Sequence, residues 1–226
     1  MSYFITGTDT GVGKTLVSCA LLHAFAPQGK RAVGLKPVAS GCDDDDRNED
    51  AKRLRAASNI QTAYRQINPY CFRPPIAPHL AARQAGTSVE FARIMASYRE
   101  LAGLADEVIV EGVGGFCVPL NDKQTSADLA KELGLPVIVV VGMRLGCINH
   151  ALLTVRAVSD YQLKCAGWVA NVLDVGMPAL QENIEALRER IAAPLLGVIP
   201  YQAQPDARQA AAHLQTGLLE KQEAHG

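Results

Sequence analysis

The chain has 226 residues, 48% apolar and 20% charged, with a formal net charge of −1. That balance suits a globular protein with a sizeable core and lacks the basic stripe of a nucleic-acid binder. No apolar run approaches the roughly 20 residues that cross a bilayer, and the N-terminus lacks a basic segment followed by a long apolar core, so a cytoplasmic protein is expected, with no nucleic-acid and no membrane partner.

Strand and helix signals alternate along the whole chain. Ser2–Thr6 reads as a strand, Lys14–Ala26 as a helix, Ala32–Lys36 as a strand and Glu49–Ala57 as a helix. Helix Val89–Leu104 follows, with Ser88 as its expected N-cap, then strand Val108–Glu111 and helix Ser126–Leu133, with Ser126 as the expected cap. Strand Val137–Val141, helix Cys147–Tyr161, strand Gly167–Asn171, helix Pro178–Ile191 and strand Leu195–Ile199 complete the series. The runs VIV and VIVVV are continuously apolar, as in parallel strands covered on both faces. A single α/β domain with a doubly wound, mainly parallel sheet is expected over residues 1–226. The acidic run Cys42–Asp46 and the proline-rich Asn68–Pro78 read as loops, Asp206–Leu219 as helical, and the polar tail from about Lys221 as frayed. The six cysteines (Cys19, Cys42, Cys71, Cys117, Cys147 and Cys165) have no C-x-x-C pair and no metal-ligand spacing. They are expected as reduced, small buried hydrophobes rather than disulfides or zinc ligands.

In a doubly wound sheet, ligands sit at the carboxyl ends of the strands. Gly7–Thr15 (GTDTGVGKT) lies between the first strand and the first helix. Backbone N–H groups of Thr10, Gly11, Val12 and Gly13 would cradle phosphate oxygens, helped by the positive end of the helix. Lys14 would reach the β- and γ-phosphates of ATP, and the Thr15 hydroxyl would ligate magnesium. The usual G-x-x-x-x-G-K-[ST] pattern has Gly where this chain has Thr8.

The remaining strand ends carry charge and amides. Lys36 ends the second strand and points a cation toward the phosphates. Glu111 ends a buried strand and needs a cation, for which magnesium beside Thr15 is the natural candidate. Asp50 is its partner carboxylate, with Asp46 of the acidic run as the alternative. Gly112, Val113 and Gly114 let backbone approach a ligand closely. Gly146 and Cys147 begin a helix that could hold a carboxylate, with Asn149 and His150 in its first turn. Asn171, beside Val172, carries an amide suited to the edge of adenine, and Pro200 and Tyr201 follow the last strand.

Taken in order, GTDTGVGKT (Gly7–Thr15), KPVASG (Lys36–Gly41), EDA (Glu49–Ala51), NPY (Asn68–Tyr70), VEGVGG (Val110–Gly115), GCINHALLT (Gly146–Thr154), AGWVAN (Ala166–Asn171) and IPY (Ile199–Tyr201) resemble the dethiobiotin synthetase family. The resemblance runs from near residue 2 to about residue 201. It implies an ATP-dependent ligase that joins CO2 to 7,8-diaminopelargonate through a carbamate and a carbamic–phosphoric anhydride. It implies Mg2+ on Thr15, Asp50 and Glu111, charge neutralisation by Lys14 and Lys36, and contacts to the carbamate or diamine from Thr10 and Ser40. It also implies a homodimer in which Leu145, Gly146, Cys147 and Asn149 of the other subunit hold the distant substrate carboxylate. The chain departs from family forms at Gly11, where some members have Glu, at Arg144, where Lys also occurs, and in its CDDDD run.

Two other functions share the P-loop. A partition-type switch ATPase would need a second lysine early in the loop, where Gly-Thr-Asp stands, and a membrane-targeting helix or basic face, whereas Asp206–Leu219 carries only Arg208. The synthetase domain of a cobyric-type amidotransferase would need a glutaminase domain, for which this chain is too short, although that domain could be a separate subunit.

Overall fold

The computed structural model describes residues 2–221, with side chains to residue 219. Eight strands are present: β1 Ser2–Gly7, β2 Ala32–Leu35, β3 Val38–Ser40, β4 Tyr70–Phe72, β5 Glu107–Glu111, β6 Val137–Met143, β7 Cys165–Val172 and β8 Leu195–Ile199. The helices are α1 Lys14–Phe25, α2 Glu49–Ala57, α3 Tyr64–Ile67, α4 Pro78–Gln84, α5 Phe91–Leu104, α6 Ser126–Leu133, α7 Cys147–Asp160, α8 Leu180–Arg188, α9 Ala207–Ala211 and α10 Gly217–Lys221. The frayed tail expected beyond Lys221 lies outside the described residues.

Six strands form one sheet in the order β2-β5-β1-β6-β7-β8, every neighbouring pair parallel. β5 and β6 are buried along their whole length, which is what their continuous apolar runs demand. Trp168 on β7, Phe4 and Ile5 on β1 and Phe25 on α1 are among the largest fully buried side chains. Strand order reverses about β1, and the loop after β1 therefore opens at the topological switch point. Among the described residues, no helix is long and apolar enough to cross a membrane.

Local side-chain chemistry sets the starts of α2, α6 and α9. The Asn48 side chain caps α2 by accepting from the backbone N–H groups of Asp50 and Ala51, at 3.0 and 3.4 Å. For α6 the cap is Thr125 rather than Ser126, and Asp128 completes a capping box by accepting from the Thr125 N–H. Ser126 instead donates its hydroxyl to the Phe116 carbonyl. Ser88 is not a cap either. α5 begins at Phe91, and the Glu90 N–H before it donates to the Tyr70 hydroxyl at 3.0 Å. A tertiary partner has replaced the local one.

Three features depart from the sequence expectation. The proline-rich stretch read as a loop contains β4, which pairs in parallel with β3, a strand not expected after Lys36, from Val38↔Tyr70 to Ser40↔Phe72. That pairing brings Cys42 beside Cys71, and the two form a disulfide with Cα atoms 6.0 Å apart, against the expectation of free thiols. Spacing along the chain could not show it, because a non-local pairing creates the proximity. Of the other cysteines, Cys19 and Cys147 are buried as expected, Cys165 is partly buried and Cys117 is exposed. Lastly, the stretch Asp206–Leu219 is broken: α9 ends at Ala211, and the chain turns before α10.

Gly197 of β8 tests the packing. A Cβ there would collide with the His213 backbone carbonyl, which cannot yield as a flexible side chain would. Gly197→Ala is expected to cost at least about 2 kcal/mol in urea denaturation, while Gly103→Ala, open on all sides in α5, gains roughly 0.5 kcal/mol from the unfolded state.

Candidate active site

The loop after β1 is shaped by its glycines and tied down at three points. Gly11 and Gly13 take φ of 74° and 92°, and Gly13 caps α1 in the left-handed region. The Thr8 N–H donates to the Val140 carbonyl at 3.0 Å, and Lys14 Nζ reaches back to the Asp9 carbonyl at 2.9 Å. Asn171 Nδ2 donates to the Val12 carbonyl at 2.9 Å, so the amide expected at the adenine edge holds the loop from the end of β7. The Asp9 carboxylate accepts from the Thr10 N–H and pairs with Arg144, which together hold its pKa below the usual range.

Four charged side chains converge beside this loop, each delivered by a different element. Glu111, at the end of β5, is fully buried. Its Oε1 accepts from the Thr15 hydroxyl at 2.8 Å and from Lys36 Nζ at 2.6 Å. Lys36 Nζ also donates to the Gly112 carbonyl at 3.1 Å and lies 3.3 Å from Asp50 Oδ2 on α2. Burial opposes the charge on Lys36, but Glu111 and Asp50 outweigh it and hold the ammonium pKa above its ordinary value. Burial likewise opposes ionisation of Asp50, and the Lys36 charge and Thr15 hydroxyl more than offset it, so its pKa is lowered. Lys14 is pushed down to about 8, first by burial and then by the neighbouring Lys36 charge. The negative charge of an arriving polyanion would oppose both effects and favour the ammonium form.

These groups line a cleft of about 820 Å³. Of the residues singled out from the sequence, Thr10, Gly11, Gly13, Lys14, Thr15, Lys36, Ser40, Asp50, Glu111, Val113, Gly114 and Asn171 lie on its wall. Val12, Gly112 and Val172 are buried behind it. Pro200, Tyr201 and the segment Leu145, Gly146, Cys147 and Asn149 are not among its lining; Leu145 projects fully into solvent at 99% exposure, while Cys147 is buried. Asp46 is turned to Arg73 at 2.8 Å, away from the cleft. The wall also includes residues that sequence reasoning missed: Asn48, Arg53, the segment Pro75–Pro78 and Pro205. The cap position before Glu49 was a legible signal for Asn48; the others are brought in by tertiary packing alone.

The donor set fits a magnesium ion. Glu111 Oε2 is buried without a hydrogen-bond partner, beside the Thr15 hydroxyl and the Asp50 carboxylate. Among the described residues, no three His, Cys, Asp or Glu side chains cluster as a metal cage. One or two carboxylates plus phosphate oxygens is the usual magnesium environment, and it needs no such cage. The Ser40 hydroxyl is a further buried oxygen without a partner on the same wall.

The fit between Gly13 and Asn171 yields a test. A Cβ at Gly13 would overlap Asn171 Nδ2 and would strain the left-handed backbone. Gly13→Ala is expected to weaken ATP binding at least about 10-fold in equilibrium titration, with little change in circular dichroism.

Comparison with known proteins extends the picture. The family profile described as "AAA domain" matches residues 1–209. Among solved structures, a MinD cell division protein of Aquifex aeolicus superposes with a TM-score of 0.55 at 15% identity, covering 100% of this chain and 97% of its own. A ParA family ATPase of Chlorobium tepidum does so at 0.55 and 13%, covering 97% and 96%. At such identities the likeness establishes the P-loop fold alone. Sequence relatives are far nearer. The ATP-dependent dethiobiotin synthetase BioD of Aromatoleum aromaticum is 55% identical over 94% of this chain and 96% of its own. That of Nitrosospira multiformis is 56% identical over 91% of each, and that of Cellvibrio japonicus 51% over 97% and 98%. With that identity spread over nearly the full length of both partners, the chain belongs to the ATP-dependent dethiobiotin synthetases, a family of ligases.

Proposed function

We propose that this chain closes the ureido ring of dethiobiotin from 7,8-diaminopelargonate, CO2 and ATP, in the biotin pathway, as one catalytic domain in a cytoplasmic homodimer. The observation that carries the reading is the cluster of Lys36, Glu111, Asp50 and Thr15 at one point of the P-loop cleft, with Ser40 and Thr10 on the same wall. The membership of the family supports it.

In this reading the 7-amino nitrogen takes up CO2 and releases a proton, giving a carbamate. A carbamate oxygen then attacks the γ-phosphorus, and the bond to ADP breaks. The 8-amino nitrogen attacks the carbamoyl carbon of the resulting anhydride, phosphate departs with the bonding electrons, and the nitrogen loses its proton to solvent. Carbamate and triphosphate repel one another, so the protein must bring cations to both. Lys14, anchored by the Asp9 carbonyl, faces the phosphates, and Lys36, steadied by Glu111, neutralises the approaching carbamate. Thr10 and Ser40 offer hydroxyls that orient the carbamate or diamine, and the loop nitrogens from Thr10 to Gly13 hold the phosphates. Thr15, Asp50 and Glu111 would hold Mg2+, which would supply further charge neutralisation at the phosphate oxygens. Gly112, Val113, Gly114, Asn171, Val172, Pro200 and Tyr201 remain the candidates for the rest of the nucleotide. Leu145, Gly146, Cys147 and Asn149 are assigned to the substrate carboxylate of the other subunit, in keeping with the full exposure of Leu145 and its place outside this chain's own cleft.

Release of ADP with ATP, magnesium and bicarbonate, with and without the diamine, tests the reading. Turnover is expected to require the diamine and to yield a cyclic urea. In Lys36→Ala, and in Lys36→Gln, which keeps a donor beside the buried Glu111, it is expected to fall on the order of 100-fold or more. ADP release indifferent to the diamine would sink the substrate assignment and favour a switch ATPase.

A further inference from the structure

We propose that Arg53 is a nucleotide-binding residue, whose guanidinium leaves Glu49 and grips the α- and β-phosphates when ATP enters the cleft. The inference rests on the P-loop cleft being the ATP site.

Arg53 stands three residues after Asp50 on α2, so the two share the helix face that looks onto the P-loop. It lines the phosphate cleft and also a neighbouring cleft of about 730 Å³. Thr15, Leu16, Arg53 and Pro205 belong to both walls, which puts Arg53 at their junction. Thr15 and Leu16 open α1, where the backbone meets the inner phosphates of a P-loop nucleotide rather than the terminal one. Proximity to α1 has a second signature. Burial and Glu111 push the Cys19 thiol up to about 12, and the Arg53 charge works against them.

Charge balance gives Arg53 its task. Asp50 and Glu111 both meet Lys36, so that with Lys14 the two lysines and two carboxylates of the cleft carry no net charge, and the residual negative charge of magnesium-bound ATP has no counterpart among them. Among the described residues, Arg53 is the remaining cation on that wall. Its present partner is Glu49, with Nε 3.1 Å from Oε1, and both side chains are more than half exposed. An exposed i,i+4 pair of that kind is weak and easily surrendered. A guanidinium also presents a fork that matches phosphate oxygens two at a time.

Equilibrium binding of ATP and of ADP, each with magnesium, to the full chain decides the matter. Arg53→Ala should weaken both nucleotides by the same factor, about 10-fold, with an unchanged melting temperature. Arg53→Lys should recover part of the loss, and Glu49→Gln, which frees the guanidinium, should tighten both by about 2-fold. Equal affinity in Arg53→Ala and wild type, alongside binding lost in Lys14→Ala, would overturn the role of Arg53 and leave the ATP site standing. A loss for ATP but not ADP would overturn its placement at the inner phosphates. Binding unaffected in Lys14→Ala would overturn the ATP site itself, and the inference with it.

Discussion

A carboxylate with no exposure to solvent is costly unless cations and donors meet it, and Glu111 is that group here. Its partners come from three other elements: Lys36 from just after β2, Thr15 from the first turn of α1, and, through Lys36, Asp50 from α2. The observed order β2-β5-β1, in which β2 and β1 flank β5, places them around it. One oxygen of Glu111 is satisfied by the protein and the other is not. The cluster therefore braces the fold and remains incomplete in the direction of a ligand.

The likeness to MinD and ParA proteins makes the division between scaffold and chemistry plain. A parallel sheet with a P-loop at its switch point is common to all of them, so it does not distinguish a ligase from a switch. Short stretches after the strands, with Lys36, Ser40, Glu111, Val113 and Gly114, line the cleft in this chain.

Legibility in the sequence followed the range of the interactions. The six main strands and the six longer helices were readable because apolar periodicity is local, and α2 and α6 fall where their patterns place them. Strand-end residues such as Lys36, Glu111 and Asn171 were readable because the carboxyl edge of a parallel sheet is a topological consequence of alternation, whereas Pro200 and Tyr201, read the same way, do not line the cleft. What escaped depended on partners distant in sequence. β3 and β4, three residues each, exist only as a pair, and the Cys42–Cys71 disulfide follows from their pairing. Ser88 lost its expected role to a hydrogen bond between Glu90 and the Tyr70 hydroxyl. Arg53 and Pro205 reach the cleft only through packing of α2 and of the segment before α9 against α1.

The position of β1 at the centre of the sheet has a bearing on how the chain comes into being. Ser2 pairs with Val108, Phe4 with Val137, and the Thr8 N–H finds its acceptor on Val140. Both sheet neighbours of β1 therefore lie far downstream of it in the chain, and its pairing waits for β5 and β6. Closing such long loops before any contact rewards them slows folding, as non-local parallel pairing does generally. The nascent chain accordingly carries the phosphate-binding motif long before it has a phosphate-binding site. Glu111 lies on the same strand that first gives β1 a neighbour, whereas the loop's ties to Val140 and Asn171 come from β6 and β7, so the cleft is complete only once those later strands are in place.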